Sequence, residues 1–383
     1  MEAETPQKRL AIFIDWFEPG FKAGGPIRSS ANLARLLASK VQVSVFTSDT
    51  DHGDKAPLKG VQPDCWTIFA PNLSVWYASI DGGPKMMEEF KSRSFDAVYF
   101  NSLFSVRFFI RPFLNAVWNN RSERLVLAPR GMLRKGALSF GKFKKKVFIS
   151  LLSNSGLAKK LYWQATDLQE ESDIKKHIGP NTRIQVIGNV PSVVPSVGTR
   201  PISKNEALTC VIVSRIQSIK NLHFFFQVLR DIHHEVNVDL IGPLEDPDYW
   251  ETCQEIIQTL PENISVSYLG AMPHSEILSR MVHYDLFVLP TLGENFGHAI
   301  YDAMVSGVPV IISDQTPWQN LQKHQVGQDL PFDPELWKSA INEFALMDSN
   351  EQEVYQDSAR KYAVEYLEKR DFFGQYHELF FQE

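Results

Sequence analysis

Short apolar runs alternate with longer stretches in which apolar side chains recur every three or four positions, the pattern of repeated β–α units that feed a parallel sheet. In the first half, Leu10–Ile14, Val41–Thr47, Ala97–Asn101 and Leu125–Ala128 read as buried strands, and Ile27–Leu37 as a helix between the first two. In the second half, Leu208–Ser214, Val236–Ile241, Ser265–Leu269, Asp285–Pro290 and Pro309–Ser313 repeat the theme. The pattern predicts two successive doubly wound α/β domains.

Between them lies PSVVPSVGTRP, 191–201, whose prolines, glycine and small residues interrupt both periods and read as a linker. The domains are then 1–190 and 202–365, with an aromatic-rich C-terminal helix at about 366–383 returning to the first domain. A chain of 383 residues has room for two cores. At 44% hydrophobic and 22% charged it is too apolar for disorder.

Charge changes the picture by its placement. Residues 1–200 carry 28 basic and 17 acidic side chains (+11), and 201–383 carry 11 and 28 (−17), for a net charge of −6. Such a balance excludes a general nucleic-acid binder held by excess positive charge. Three widely spaced cysteines indicate neither a disulfide framework nor a thiolate zinc site. With no apolar run of spanning length and no cleavage site behind Leu10–Phe17, the expectation is a cytoplasmic protein whose membrane contact is peripheral, at the inner face.

Chemistry concentrates at strand ends. In DLFVLPTLGENFGHAIYDAMVSGVPVIISDQTPW, 285–318, a strand runs into the loop TLGENFG and then a helix from about Phe296. In open parallel sheets ligands sit beyond the carboxyl ends of strands, and the unpaired N–H groups of the next helix suit a phosphate or a sugar hydroxyl. Glu294 stands at that mouth with Asn295, Phe296, Gly297 and His298, and Asp302 follows eight residues after Glu294. Either both carboxylates serve one extended ligand, or Glu294 is an acid favoured by the helix dipole and Asp302 a surface residue. His298 has a packing or capping role as its alternative to ligand contact. Arg215 and Lys220, in VIVSRIQSIKNL, can neutralise a diphosphate, or are two surface bases. Gly24 and Gly25, in FKAGGPIR, permit close backbone approach after the first strand, or form a plain turn. The G-x-G-x-x-G dinucleotide fingerprint is absent there, which argues against an oxidoreductase.

In this order the motifs resemble the family 4 glycosyltransferases of the GT-B fold, especially the bacterial members that elongate cell-surface polysaccharides. The resemblance implies two facing Rossmann-like doubly wound domains with a cleft between them, and retaining transfer of a sugar from a nucleotide-diphosphate donor to a hydroxyl of a glycan or lipid-linked acceptor. It implies that Arg215 and Lys220 stabilise the leaving diphosphate, that Glu294 holds donor-sugar hydroxyls, and that Asn295, Phe296 and Gly297 assist through their N–H groups. Gly24 and Gly25 would close over the phosphates. The family's E-x7-E element appears as Glu294 and Asp302, with the second acid one methylene shorter. PRGML, 129–133, stands where other members carry a histidine loop.

Neither a cofactor nor a metal is expected. The triplets Asp49-Thr50-Asp51 and Asp246-Pro247-Asp248 imitate a metal-binding D-x-D but read as solvated turns. On the acceptor side Asn101, Ser102 and Arg130 are the candidates, with Trp16 and Phe17 beside them. From Arg130 to Lys160, cations mix with apolar residues at helical intervals, suited to anionic lipid headgroups or equally to a solvated helix face. The rival activities are a sugar phosphorylase or epimerase on the same fold, and a catalytically silent sugar-nucleotide-binding subunit.

Overall fold

The computed structural model describes residues 7–192 and 207–382, except 120, 122, 135–137 and 139–141. Most of the expected linker, 193–201, therefore lies outside the described residues. The chain divides into two compact units, one formed by Met1–Val190 with Asp371–Glu383 and the other by Pro191–Arg370.

The first unit is built on an eight-stranded sheet of β1 (Arg9–Phe13), β2 (Gln42–Ser48), β3 (Trp66–Ala70), β4 (Leu73–Ala78), β5 (Ala97–Phe100), β6 (Arg124–Leu127), β7 (Leu161–Ala165) and β8 (Ile184–Val186). Their order is β3-β4-β2-β1-β5-β6-β7-β8, parallel throughout except for the antiparallel β3–β4 pair. Leu10 to Phe13 of the central β1 are fully buried, as a strand covered on both faces requires. Helices α1 (Gly25–Ala38), α2 (Gly83–Ser92), α3 (Arg111–Trp118), α4 (Lys142–Asn154) and α5 (Leu168–Ile178) join the strands. α1 shows why the sequence folds this way: Pro26 sits in its first turn, and Ile27, Ala31, Ala34 and Leu37 form its buried stripe.

The second unit carries six parallel strands, β9 (Leu208–Val213), β10 (Val236–Ile241), β11 (Ile264–Gly270), β12 (Leu286–Leu289), β13 (Val310–Ser313) and β14 (Gly327–Leu330), in the order β11-β10-β9-β12-β13-β14. Around them lie α6 (Leu222–Leu229), α7 (Pro247–Ile257), α8 (His274–Met281), α9 (His298–Val305), α10 (Pro334–Leu346) and α11 (Ser349–Glu368). Capping is explicit in α11, where Asp348 and Glu351 form a reciprocal capping box.

The aromatic tail departs from the single helix expected at 366–383. It breaks after Glu368, so Tyr366 belongs to α11 of the second unit, and only α12 (Phe372–Phe381) belongs to the first. The break has a local cause: Asp371 accepts the Gly374 N–H at 2.8 Å and starts a new helix. α12 buries Phe372, Tyr376, Leu379 and Phe380, and the Phe380 ring lies 5.2 Å from that of Tyr99 on β5.

Candidate functional site

In the second unit the chain goes from β9 to β10 on one side and later returns to β12 on the other, so the strand order reverses between β9 and β12. A crevice opens beyond the carboxyl ends of the strands at such a reversal. The two loops flanking it carry Lys220 and Glu294. A 3-10 turn, Ser218–Lys220, follows β9 and ends at Asn221 in the left-handed conformation, φ 55°. The β12 loop is tied to it: Leu292 N–H donates to the Ile219 carbonyl at 2.8 Å, and Thr291 Oγ1 donates to the same oxygen at 3.3 Å. A third anchor comes from β13, whose Ser313 hydroxyl donates to the Thr291 carbonyl. Glu294 N–H donates to the Gln315 carbonyl at 3.2 Å.

These ties bring Lys220 Nζ against Glu294 Oε1 as an ion pair, with side chains 11% and 17% exposed. Arg215 leaves the same strand end in another direction. Its side chain is 39% exposed and its guanidinium meets the Glu245 carboxylate at 3.0 Å, so Arg215 is paired through the β10 loop and not with Glu294.

The helix beyond Glu294 begins at His298, two residues later than expected, because Gly297 holds φ 75° and ψ 62° at its N-cap. A Cβ on Gly297 would stand 2.6 Å from Ile300 Cδ1. The first turn of α9 leaves N–H groups with no intrahelical partner, directed to the side where Asn295 and Glu294 lie in sequence. Phe296 is the floor of this mouth: its carbonyl accepts from Trp318 Nε1 at 2.5 Å, and its ring packs 5.3 Å from Trp318 and 5.9 Å from Tyr366. His298 is buried with its ring 4.7 Å from Phe296. Asp302 is not a surface residue. It is 1% exposed and hydrogen-bonded to His274 Nε2 of α8 at 3.1 Å. The two acids eight residues apart are thus divided, Glu294 to Lys220 and Asp302 to His274.

In the first unit the strand order reverses between β1 and β5. Gly24, φ 65°, precedes α1, and nothing stands within 4 Å of where its Cβ would be. With Gly25, it forms a backbone turn open to a ligand. What steadies this turn is Asp51, whose carboxylate accepts the N–H groups of Phe21 at 2.8 Å, Lys22 at 3.1 Å and His52 at 2.7 Å. The expectation of solvated D-x-D turns is corrected here: Asp49 and Asp51 are each only 3% exposed, and Asp51 serves as a clamp between the β2 end and the glycine turn. Asp246 in the other triplet caps α7 by accepting the Tyr249 N–H at 3.1 Å. Among the described residues no cluster of three or more His, Cys, Asp or Glu side chains has the arrangement of a metal site.

Asn101 and Arg130 are brought together. Arg130, at φ 53°, donates through Nε to Asn101, through Nη1 to Asn189 and through Nη2 to the Tyr99 hydroxyl at 2.7 Å. Tyr99 donates to Gln164, which donates to the Ile187 carbonyl at 2.7 Å and to the Tyr376 hydroxyl of α12 at 3.1 Å. This polar network, buried at Tyr99, Asn101 and Gln164 and partly exposed at Arg130, ties β5, β7 and α12 together. Ser102 stays at the strand end, 4% exposed. Beside it lies a residue outside the sequence motifs, Asp15, two positions after β1. Ser105 Oγ donates to its Oδ1 at 2.6 Å, and burial raises its pKa, opposed in part by the Ser105 and Ser102 hydrogen bonds. Its signal in the sequence is a carboxylate straight after the first strand, in AIFID.

A pocket of about 210 Å³ lined by Phe224, Asp231, Pro334 and Lys338 shares no residue with either strand-end cluster.

Two Rossmann-like units, each with polar side chains gathered where its strand order reverses, define the GT-B class of glycosyltransferase structures. Residues 200–364 match the family model described as Glycosyl transferases group 1. No curated protein matches the chain in sequence. Solved structures do match in fold. HepE from Anabaena in complex with UDP and glucose is 17% identical with a TM-score of 0.72, covering 97% of this chain and 98% of its own. Sucrose-phosphate synthase from Thermosynechococcus elongatus is 17% identical with a TM-score of 0.68 over the same shares. WaaG, a glycosyltransferase involved in lipopolysaccharide biosynthesis, is 13% identical with a TM-score of 0.63, covering 96% of this chain and 97% of its own. Together the family match and the fold support a glycosyltransferase.

Proposed function

We propose that the protein is a retaining glycosyltransferase of family 4 type that moves a sugar from a nucleotide-diphosphate donor, bound by the second unit, to a hydroxyl of a glycan or lipid-linked acceptor, without a metal. The observation that carries this is the Lys220–Glu294 pair at the β9/β12 reversal, a cation and an acid from separate loops at one strand-end crevice. HepE, whose structure is described with UDP-glucose, offers an analogy for the donor class.

In this mechanism Lys220 turns from Glu294 toward the diphosphate as negative charge grows on the leaving group, and the N–H groups opening α9 share that charge. Glu294, released from Lys220, accepts hydrogen bonds from donor-sugar hydroxyls. Arg215 adds a second cation once the diphosphate competes with Glu245. On the first unit, Gly24 and Gly25 keep a backbone turn open to a ligand. The C–O bond between sugar and diphosphate breaks as the acceptor oxygen bonds to the same carbon on the same face, and the acceptor proton passes to the departing phosphate oxygen. For the acceptor hydroxyl, Ser102 and Asp15 at the β1/β5 reversal join Asn101 and Arg130 as the candidate groups.

Incubation of the purified chain with UDP-, GDP-, ADP- and TDP-sugars tests this. Nucleotide release that requires an acceptor supports transfer, and an unchanged anomeric configuration in the product supports retention. Phosphate-dependent release identifies a phosphorylase instead, and binding with no release under either condition identifies a silent subunit.

A further inference from the structure

Helix α4 is apolar on two opposite faces. Its inward side buries Ile149 and Leu152, and Phe148 packs against Phe104 and Phe109 at 5.9 Å and 6.5 Å. Its outward side carries Phe143, Val147 and Leu151, which are 80%, 42% and 64% exposed. Spaced four apart, these three form one stripe, and at 100° per residue Val147 and Leu151 stand about 160° round the helix from Ile149. A solvated helix face would be polar there. Instead three large apolar side chains stand in water without covering the core.

Charge says what covers them. From Arg124 to Thr166 the sequence holds ten Lys or Arg and no acid. Lys144 and Lys146 are exposed on α4 beside the stripe, and Lys159 and Lys160 are exposed in the turn that follows it. An apolar ridge with exposed lysines on its own helix and in the turn that follows matches a bilayer with anionic headgroups: the ridge reaches the acyl boundary while the lysines stay among the phosphates. Among the described residues no helix is long and apolar enough to cross a membrane, so this contact is with the surface.

We infer that α4 docks the first unit on an anionic lipid bilayer, with Phe143, Val147 and Leu151 inserted and Lys144, Lys146, Lys159 and Lys160 at the headgroups. The inference gives the lipid-linked acceptor of the proposed reaction a surface to be met on. It rests on that reading only for its purpose, because vesicle binding is scored without turnover.

The test is co-sedimentation of the full chain with vesicles of phosphatidylcholine containing about 30% phosphatidylglycerol, against vesicles of phosphatidylcholine alone. The wild type is expected to bind the anionic vesicles in a salt-sensitive manner and the neutral ones weakly. Each lysine contributes about fivefold, so K144Q/K146Q should cost about twentyfold or more. F143S/L151S should lose about tenfold, with an unchanged melting temperature, since both side chains are outside the core. In F143W the indole emission should shift to the blue on vesicle addition. The inference is overturned if the anionic vesicles do not bind, if F143S/L151S binds as the wild type does, or if F143W reports no apolar environment. It is overturned equally if the stripe mediates concentration-dependent self-association that F143S/L151S abolishes while vesicle binding persists.

Discussion

Lys220 and Glu294 illustrate how a side chain held for one partner can be ready for another. Each is mostly withdrawn from water and each satisfies the other, so neither charge is left uncompensated. Replacing Lys220 with alanine should lower kcat for sugar transfer by about two orders of magnitude or more, while far-UV circular dichroism keeps the wild-type spectrum. Undiminished turnover would remove Lys220 from the chemistry. Asp15 behaves in the opposite way. Burial makes the folded protein hold its proton more tightly than the unfolded chain does. As pH rises through the ordinary aspartate range, the unfolded chain releases that proton first, so stability falls and the residue is a net cost at neutral pH. Asp15→Asn should therefore melt higher than the wild type at pH 7, and the gain should vanish in acid below the ordinary aspartate pKa. A melting curve against pH that shows no such convergence would contradict the shift. The same variant should transfer sugar more slowly if Asp15 meets the acceptor. That pattern, more stable but less active, is characteristic of functional residues.

At the scale of elements, the helix α12 is secured by a single hydroxyl as well as by its rings. Tyr376 accepts from Gln164 at 3.1 Å and donates to the Gly188 carbonyl at 3.1 Å. Tyr376→Phe should cost about 1–3 kcal/mol, because the buried Gln164 is left with one bond fewer and the Gly188 carbonyl loses its donor; thermal melting of the full chain measures it. The fold was legible to the extent that hydrophobic periodicity reports it. β1, β2, β5, β6, β9, β10, β11, β12 and β13 lie within one or two residues of the apolar runs that predict them. β14, Gly327–Leu330, escaped because GQDL is polar in composition and is recruited by its pairing with β13. β3 and β8 escaped for another reason: they are the edge strands of the first sheet, and neither is buried, Ile68 on β3 being 83% exposed although WTIFA is apolar. The site was legible as a set of loops, not as a set of contacts. Residue spacing places Lys220 and Glu294 at strand ends but is blind to Arg215 finding Glu245, to Asp302 finding His274, and to Asp51 leaving solvent to hold a glycine turn, because each depends on a neighbour far away in sequence.

At the scale of the whole molecule, the charge reversal between the chain's halves suits the division of labour proposed for them. Its acidic second half would repel a nucleoside diphosphate were it not for the cations placed at one strand end, Arg215 and Lys220. With those cations and the opening of α9 neutralising the diphosphate, transfer is expected to continue undiminished in excess EDTA, and a chelated enzyme that stops and then recovers with a divalent ion would revive a metal-assisted reaction.

α12 has a consequence for how the protein is made. Its buried rings fill the sheet laid down by the first 190 residues, yet more than a whole further unit must leave the ribosome before they arrive. Until then Tyr99 and Gln164 lack their partners from Tyr376 and Phe380, and the amino-terminal unit remains an unfinished body while the second unit is made. Its closing piece is synthesised only after the whole second unit, so a nascent chain halted before it should be the form that chaperones find.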